Sequence, residues 1–275
     1  MRVSLSTASL YLYPLRQIFA LAKELGFEGL ELVLNPESVI RGSDYVRRLS
    51  EEYGLPIFSL HPPMIPIPRW KHHHKLLPWM TSLARDWDCQ FIVIHAPKAL
   101  TLAEGYGYQY LQAVEACVKG LSTSSPRLSV ENQAVFQTSD RQYILGPPTN
   151  LRDFADEQDL ILTLDTAHAA SYPYDLLEAY ETFASRLGNI HLSDFLSARP
   201  IPARFNLQSY FKHHQIPGDG DLHLREFLEH LRADSYAGLL TLEISPVALE
   251  AWSPSRVKSK LIRCLDFVHD YLGDA

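Results

Sequence analysis

Short apolar, β-branched runs recur along this chain, and each is followed by a stretch in which apolar residues return every three to four positions. The runs fall at 3–7, 29–34, 57–61, 91–95, 128–131, 160–165, 189–192 and 239–243, and each predicts a strand. Their starts lie 26 to 50 residues apart. One strand–helix unit takes about 30 residues, so each interval holds one helix with its loops, and the last holds a long loop as well. The first helical stretch, 15–25, has apolar residues at 15, 18, 19, 21, 22 and 25. Pro14 stands at its start and Gly26 after its end, the usual start and stop signals. Helices are predicted likewise at 43–53, 76–87, 108–121, 151–156, 175–187, 222–231 and 255–271, the last preceded by Pro254. Eight alternating units in one chain, with no low-complexity linker, predict an α/β fold, a single (β/α)8 TIM barrel domain spanning 1–275. A doubly wound open sheet would use fewer strands and a glycine-rich first turn, whereas the first turn here, STASLYLYP, has no glycine.

Composition narrows the class. The chain has 275 residues, 46% hydrophobic and 21% charged, which suits one sizeable core and excludes a disordered or collagen-like chain. A net charge of -7 argues against a large basic face for nucleic acid. Cys89, Cys117 and Cys264 lie far apart and outside any CxxC pattern, so they read as free thiols in a reducing compartment. The N-terminus enters a strand pattern directly, and no stretch has the length of a membrane span. The expectation is a cytoplasmic protein with no membrane partner.

Candidate chemistry appears where the strands end. In such a barrel the active site lies at the C-terminal strand ends. There the sequence places His61, His95, Glu131, Asp165 followed by His168, His191 with Asp194, and Glu243, while strand two carries Glu31. A single charged residue at a strand end is usually a solvated tip. Six consecutive strands ending in His, Asp or Glu form a cluster. Converging carboxylates repel one another, and a bound cation both neutralises them and uses N and O ligands.

These residues, in the ordered set SVENQ, LDTAHA, NIHLSD, PGDGDLH and LTLEIS, make nearly the whole chain resemble the xylose-isomerase-like barrels. That superfamily holds sugar isomerases, ketose 3-epimerases, inosose dehydratases and an AP-endonuclease branch. The resemblance implies one divalent metal ion (Mn2+, Mg2+, Co2+ or Zn2+) on Glu131, Asp165, His191 and Glu243, with Glu131 and Glu243 also the acid/base pair. It implies a substrate-contacting histidine at His168. The implied activity is isomerisation or epimerisation of a small carbohydrate (a sugar, sugar phosphate or polyol-derived ketone) by proton transfer through an enediolate. His61 and His95 are expected to face the substrate and not to hold a separate zinc. An inosose- or shikimate-type dehydratase is a variant of the same chemistry.

A second function class is a metallo-endonuclease, for which His61, His95 and His168 match three further ligands. Its Asp-x-His pair, however, is expected shortly before the Gly-x-Gly turn, where Lys212 and Gln215 fall, leaving a third metal incomplete. The acidic balance also gives that reading little support. A barrel that only binds ligand is a third class, against which the two retained glutamates argue. A homo-oligomer is compatible with the sequence. One departure from the family pattern is the strand-seven motif, which often carries a lysine and here reads His191-Leu192-Ser193-Asp194.

Lys98, just past His95, is a candidate substrate contact. Arg199 and Arg204, in the long loop 197–215, are candidate anion or hydroxyl binders. The run Lys71–Lys75 reads as the solvated start of a helix, and 217–221 as a tight turn with Asp221 capping the next helix. Tyr106, Tyr108 and Tyr110 read as surface or loop residues.

Overall fold

The computed structural model describes residues 1–64, 72–121, 125–172, 174–198 and 207–272. Strands β1 (Arg2–Ser6), β2 (Gly29–Val33), β3 (Ile57–His61), β4 (Phe91–His95), β5 (Arg127–Glu131), β6 (Ile161–Asp165), β7 (Leu187–Leu192) and β8 (Leu239–Leu242) follow one another around a closed barrel. Every pairing is parallel, and β8 closes onto β1 through Arg2 opposite Leu239 to Leu5 opposite Leu242. The single (β/α)8 barrel expected from the alternation is the fold observed.

The outer layer is α1 (Leu15–Leu25), α2 (Pro36–Arg41), α3 (Ser43–Tyr53), α4 (His73–Asp86), α5 (Gly105–Gly120), α6 (Pro148–Glu157), α7 (Thr166–Ser171), α8 (Leu176–Phe183), α9 (Gln208–Phe211), α10 (Leu224–Ala233) and α11 (Pro254–Leu272). Pro14 precedes α1, and Gly26 ends it in the left-handed region at φ 83°. Three helices were not expected: α2, α7 and α9, of six, six and four residues. They are too short for a 3.6-residue period to show. Capping makes two of them: Asn35 and Ser38 form a reciprocal box around α2, and the Asp165 carboxylate accepts from the His168 amide at the start of α7. All three lie beyond the C-terminal ends of strands, where the side chains of interest converge. Among the described residues, no helix is long and apolar enough to cross a membrane.

Side chains along a strand alternate between the two faces of the sheet. In five strands the last inward positions read Ser, Thr or Asn, then an outward aliphatic, then His, Glu or Asp: Ser59-Leu60-His61, Ser129-Val130-Glu131, Thr163-Leu164-Asp165, Asn189-Ile190-His191 and Thr241-Leu242-Glu243. The aliphatics are fully buried, or nearly so, against the helices. The small polar residues pair between neighbouring strands: Ser4 with Thr241 at 2.9 Å, Thr241 with Asn189 at 2.9 Å, and Ser129 with Thr163 at 2.7 Å. The lumen is therefore a hydrogen-bonded polar column and not the usual packing of branched apolar residues. It carries the charged layer on top.

Three smaller expectations change. Tyr110 is fully buried, because α5 turns it inward while Tyr106 and Tyr108 stay exposed. In the histidine run, His72 and His74 are exposed, but His73 folds in, 2.9 Å from the Tyr106 hydroxyl; Lys71 lies outside the described residues. Asp221 does not cap α10, whose N-cap is His223; its carboxylate accepts from the Ser197 amide at 2.7 Å and hydroxyl at 2.6 Å. Arg199 and Arg204 lie outside the described residues.

Asp194 ties the loop after β7 to the barrel. Its buried carboxylate accepts from the amides of Phe195, Gly218, Gly220 and Leu222 at 2.8 to 3.0 Å. Its backbone also exchanges two hydrogen bonds with Gln215. Asp194→Ala strands up to four buried donors and should lower the unfolding free energy by about 3 kcal/mol or more. Urea denaturation checks this; an unchanged midpoint would mean that the carboxylate does not organise the loop.

Candidate metal centre

Glu131 stands at the centre of the mouth and is 1% exposed. Its Oε2 lies 3.5 Å from His61 Nε2 and 3.5 Å from His95 Nε2. Its Oε1 lies 3.2 Å from His168 Nδ1 and 3.4 Å from His191 Nδ1. Neither oxygen makes a hydrogen bond of acceptable geometry, and His61 Nε2, His191 Nδ1 and Asp165 Oδ2 are equally buried and unpartnered. Buried polar atoms without partners are rare and costly. Five such donor atoms facing one another fit a cation.

The imidazoles are oriented from behind. His191 donates from Nε2 to Glu31 Oε2 at 3.0 Å, which turns Nδ1 to the centre, where Glu243 Oε2 lies 2.8 Å away. Glu31 is itself held by the hydroxyls of Ser6 at 3.1 Å and Ser59 at 2.9 Å. His61 donates from Nδ1 to the Pro62 carbonyl at 2.8 Å, which frees Nε2. His168 donates from Nδ1 to the Asn132 carbonyl at 2.9 Å. Asn132 also grips the Asp165 backbone on both sides, at 2.7 and 3.0 Å. Glu31 and Asn132 thus position the ligand atoms without reaching the cavity.

Donor atoms fall into three groups, each within 4.8 Å: Glu131, Asp165, His191 and Glu243; His61, His95 and Glu131; and Asp165, His168 and His214. His214 is absent from the expected site. Its Nδ1 lies 3.7 Å from Asp165 Oδ2 and 3.3 Å from the Ser193 hydroxyl, and its ring is 5.2 Å from His168. Lys212 and Gln215 do not reach the centre; Lys212 donates to the Ser197 carbonyl and Gln215 to the His213 carbonyl. Two adjacent histidines just before the glycine turn were the available signal. Their placement depends on His214 adopting φ 54°, a left-handed conformation costing a non-glycine residue about 1 kcal/mol or more.

Charge sets the protonation pattern. Burial opposes the charged form of His191, yet Glu31, Glu131 and Glu243 raise its pKa well above the ordinary value. Burial likewise opposes charge on His168, and Asp165 and Glu131 overcome it, raising its pKa to about 9. Against its own burial, Glu131 is held well below the carboxylate range by His95, His191 and His168. Glu243 is depressed in the same way by His191 and His214. Asp165 is raised, because its burial, with lesser repulsion from Glu131 and Glu243, outweighs the attraction of His168 and His214.

Beside the centre opens a cavity of about 370 Å³, whose lining includes Glu243, His61, His95, His168 and His214 together with Met64, Phe136, Ile244 and Pro246. Lys98 lies on its wall with Nζ 5.1 Å above the Phe136 ring. Glu131, Asp165 and His191 do not line it.

The sequence profile of the family described as "Xylose isomerase-like TIM barrel" matches residues 19–261. The chain belongs to this family. Uncharacterized proteins of Mycobacterium tuberculosis (strain CDC 1551 / Oshkosh) and Mycobacterium leprae (strain TN) are 29% and 28% identical to it over 294 residues, covering 98% of both chains in each case. Among solved structures, the D-psicose 3-epimerase of Clostridium cellulolyticum H10 with D-tagatose superposes with a TM-score of 0.72 at 15% identity, covering 99% of both chains. The 3-keto-D-glucoside 4-epimerase of E. coli gives 0.70 at 17%, covering 96% of this chain and 99% of that one. A probable 3-DHS dehydratase of Bacillus anthracis gives 0.68 at 15%, covering 97% and 99%. At these identities the likeness is one of fold.

In this xylose isomerase-like barrel, the metal-free centre has a defined pH response. The raised pKa of His168 contributes stability that is fully present below the unfolded value of 6.5 and is lost as pH rises through about 9. His191 acts in the same direction. The depressed Glu131 and Glu243 contribute stability present above 4.5 and lost on acidification. The Tm of chelator-treated protein should therefore fall between about pH 6.5 and 9.5, and saturating Mn2+ should abolish the fall by replacing the bound protons. A flat Tm across that range in the chelated protein would contradict the charge pattern.

Proposed function

We propose that this chain is a divalent-metal-dependent isomerase or epimerase of a small sugar, sugar phosphate or polyol-derived ketone. One observation carries the reading: Glu131, Asp165, His191 and Glu243 bring donor atoms from four successive strand ends to within 4.8 Å of one another at the base of a ligand-sized cavity. These residues would hold one divalent ion (Mn2+, Mg2+, Co2+ or Zn2+). Such an ion, when bound, polarises a carbonyl or hydroxyl oxygen and stabilises negative charge developing on it.

The chain's own groups supply the rest. Glu243 lines the cavity with its carboxylate 14% exposed and held ionised, so it is placed to take a proton from the carbon beside the carbonyl. The enediolate that follows takes a proton back at the same carbon for epimerisation or at its neighbour for isomerisation. Glu131 is the partner carboxylate for that return. His168, His61 and His95 face the substrate, and Lys98 offers a cation to a phosphate or hydroxyl. Loss of a hydroxyl after the same abstraction would make the reaction a dehydration.

A second reading, a metal-dependent phosphodiesterase, is favoured by a specific feature. Glu131 and Asp165 each belong to two donor groups, so the mouth offers seats for more than one cation, and Glu131 Oε2 lies 3.5 Å from both His61 Nε2 and His95 Nε2. Hydrolysis of phosphodiesters uses such paired ions.

Metal analysis of untagged protein and incubation with ketoses, sugar phosphates and inososes in D2O, read by proton NMR, separate the two. One tightly held ion and deuterium at substrate carbon are expected. Glu243→Gln should lower turnover by about 100-fold to 10,000-fold while the metal is retained. Two or three ions per chain, with cleavage of bis(p-nitrophenyl) phosphate and no carbon-bound exchange, would replace the isomerase by the phosphodiesterase.

A further inference from the structure

Among the described residues, five other than glycine have a positive φ: Asp88, Asp159, His214, Ser235 and Glu250. Asp88, Asp159 and Ser235 are exposed, in the turns that lead from α4, α6 and α10 into β4, β6 and β8. His214 alone of the five lines the cavity. A left-handed non-glycine residue persists where its surroundings impose it, and such residues gather at functional sites.

The surroundings of His214 come from the segments after three strands. After β7, Asp194 and Gln215 exchange backbone hydrogen bonds at 2.8 and 2.9 Å. After β8, the Ser245 amide donates to the His214 carbonyl at 2.7 Å. After β6, the Thr166 hydroxyl donates to the Ser193 carbonyl at 2.6 Å and accepts from the Ser193 amide at 3.0 Å, which fixes Ser193 beside the ring. The turn also parts two neighbouring imidazoles. His213 is buried between Phe136 and Phe195, with ring centroids 5.2 and 5.0 Å away, while His214 reaches the cavity.

Ring orientation follows from Ser193. Its hydroxyl is buried and, among the described residues, has no acceptor but His214 Nδ1 at 3.3 Å. It therefore donates to Nδ1, and the ring carries its proton on Nε2. Among the described residues Nε2 takes part in no hydrogen bond and is not one of the buried unpartnered atoms, so it is open to the cavity that the ring lines.

We propose that His214 binds the substrate and donates from Nε2 to its carbonyl oxygen. This rests on the isomerase reading and deepens it. Glu243 lines the same cavity. When it takes the proton from the carbon beside the carbonyl, negative charge develops on that oxygen. An N–H held in place by a fixed backbone and an oriented ring stabilises this charge without having to reorganise.

The test compares metal-loaded full-length protein with His214→Gly and His214→Asn. Glycine and asparagine both accept a left-handed φ, so the backbone turn is kept. Metal content and Tm should match the parent. The probe is glycolohydroxamate, which resembles the enediolate of a hydroxy ketone, and binding is read by isothermal titration calorimetry. It should bind the parent at one site per chain and each variant at least about tenfold more weakly. Turnover of whichever compound exchanges deuterium should fall about 100-fold in both variants. Equal hydroxamate affinity in parent and variants, or no binding to the parent, would overturn the assignment. So would a second metal ion per chain that both variants lose, which would make His214 a metal ligand. Absence of deuterium exchange with every compound removes the isomerase, and the hydroxamate comparison still decides whether His214 contacts a ligand. Equal affinities with exchange intact remove His214 alone.

Discussion

Everything at the mouth of this barrel depends on concentrated negative charge that has nowhere to go. Glu31, Glu131, Asp165 and Glu243 converge on His191, which is fully buried between Glu31 on one side and Glu131 and Glu243 on the other. In water these carboxylates would separate, but the closed sheet forbids it, because each sits on a strand whose position its neighbours fix. The charge has to be met by protons or by a cation. In the metal-free state His168 and His191 carry it as imidazolium. A divalent ion would displace those protons, so metal affinity and histidine protonation are two sides of one balance.

The lumen beneath makes that arrangement tolerable. Serine, threonine and asparagine side chains pair between neighbouring strands, and two further serines hold Glu31. Glu31 in turn fixes which nitrogen of His191 faces the centre. Asn132 does the same for His168 and Asp165 from the side. The strands carry the candidate ligands, and the loops carry much of the cavity wall.

The loops here vary in a particular direction. Asp194 gathers the amides of the glycine turn and, with the backbone exchange to Gln215, holds His214 beside Asp165. That brings a fifth imidazole to the mouth, whose cavity is lined by both polar residues, Lys98 among them, and apolar ones such as Phe136 and Ile244.

The order of strands and helices, and the residues at the strand ends, could be read from the chain alone, because strand and helix periods are local and the fold places every strand's C-terminal end on one face. The triplets such as Ser129-Val130-Glu131 also carried, in their spacing of two, which side chains point inward. Other features depended on distance in space and not in sequence. Glu31 is remote from His191 along the chain, so its role as the partner of Nε2 had no sequence signal. His214 required a positive φ and a carboxylate clamp formed 20 residues earlier at Asp194. Tyr110 turned inward only once α5 packed. The chain by itself determined the scaffold and which residues stand at its active end, since those follow from nearest-neighbour geometry. Tertiary structure alone decided which of them come within 4.8 Å of one another and which nitrogen each imidazole presents, since those are set by burial and by charges meeting across the barrel.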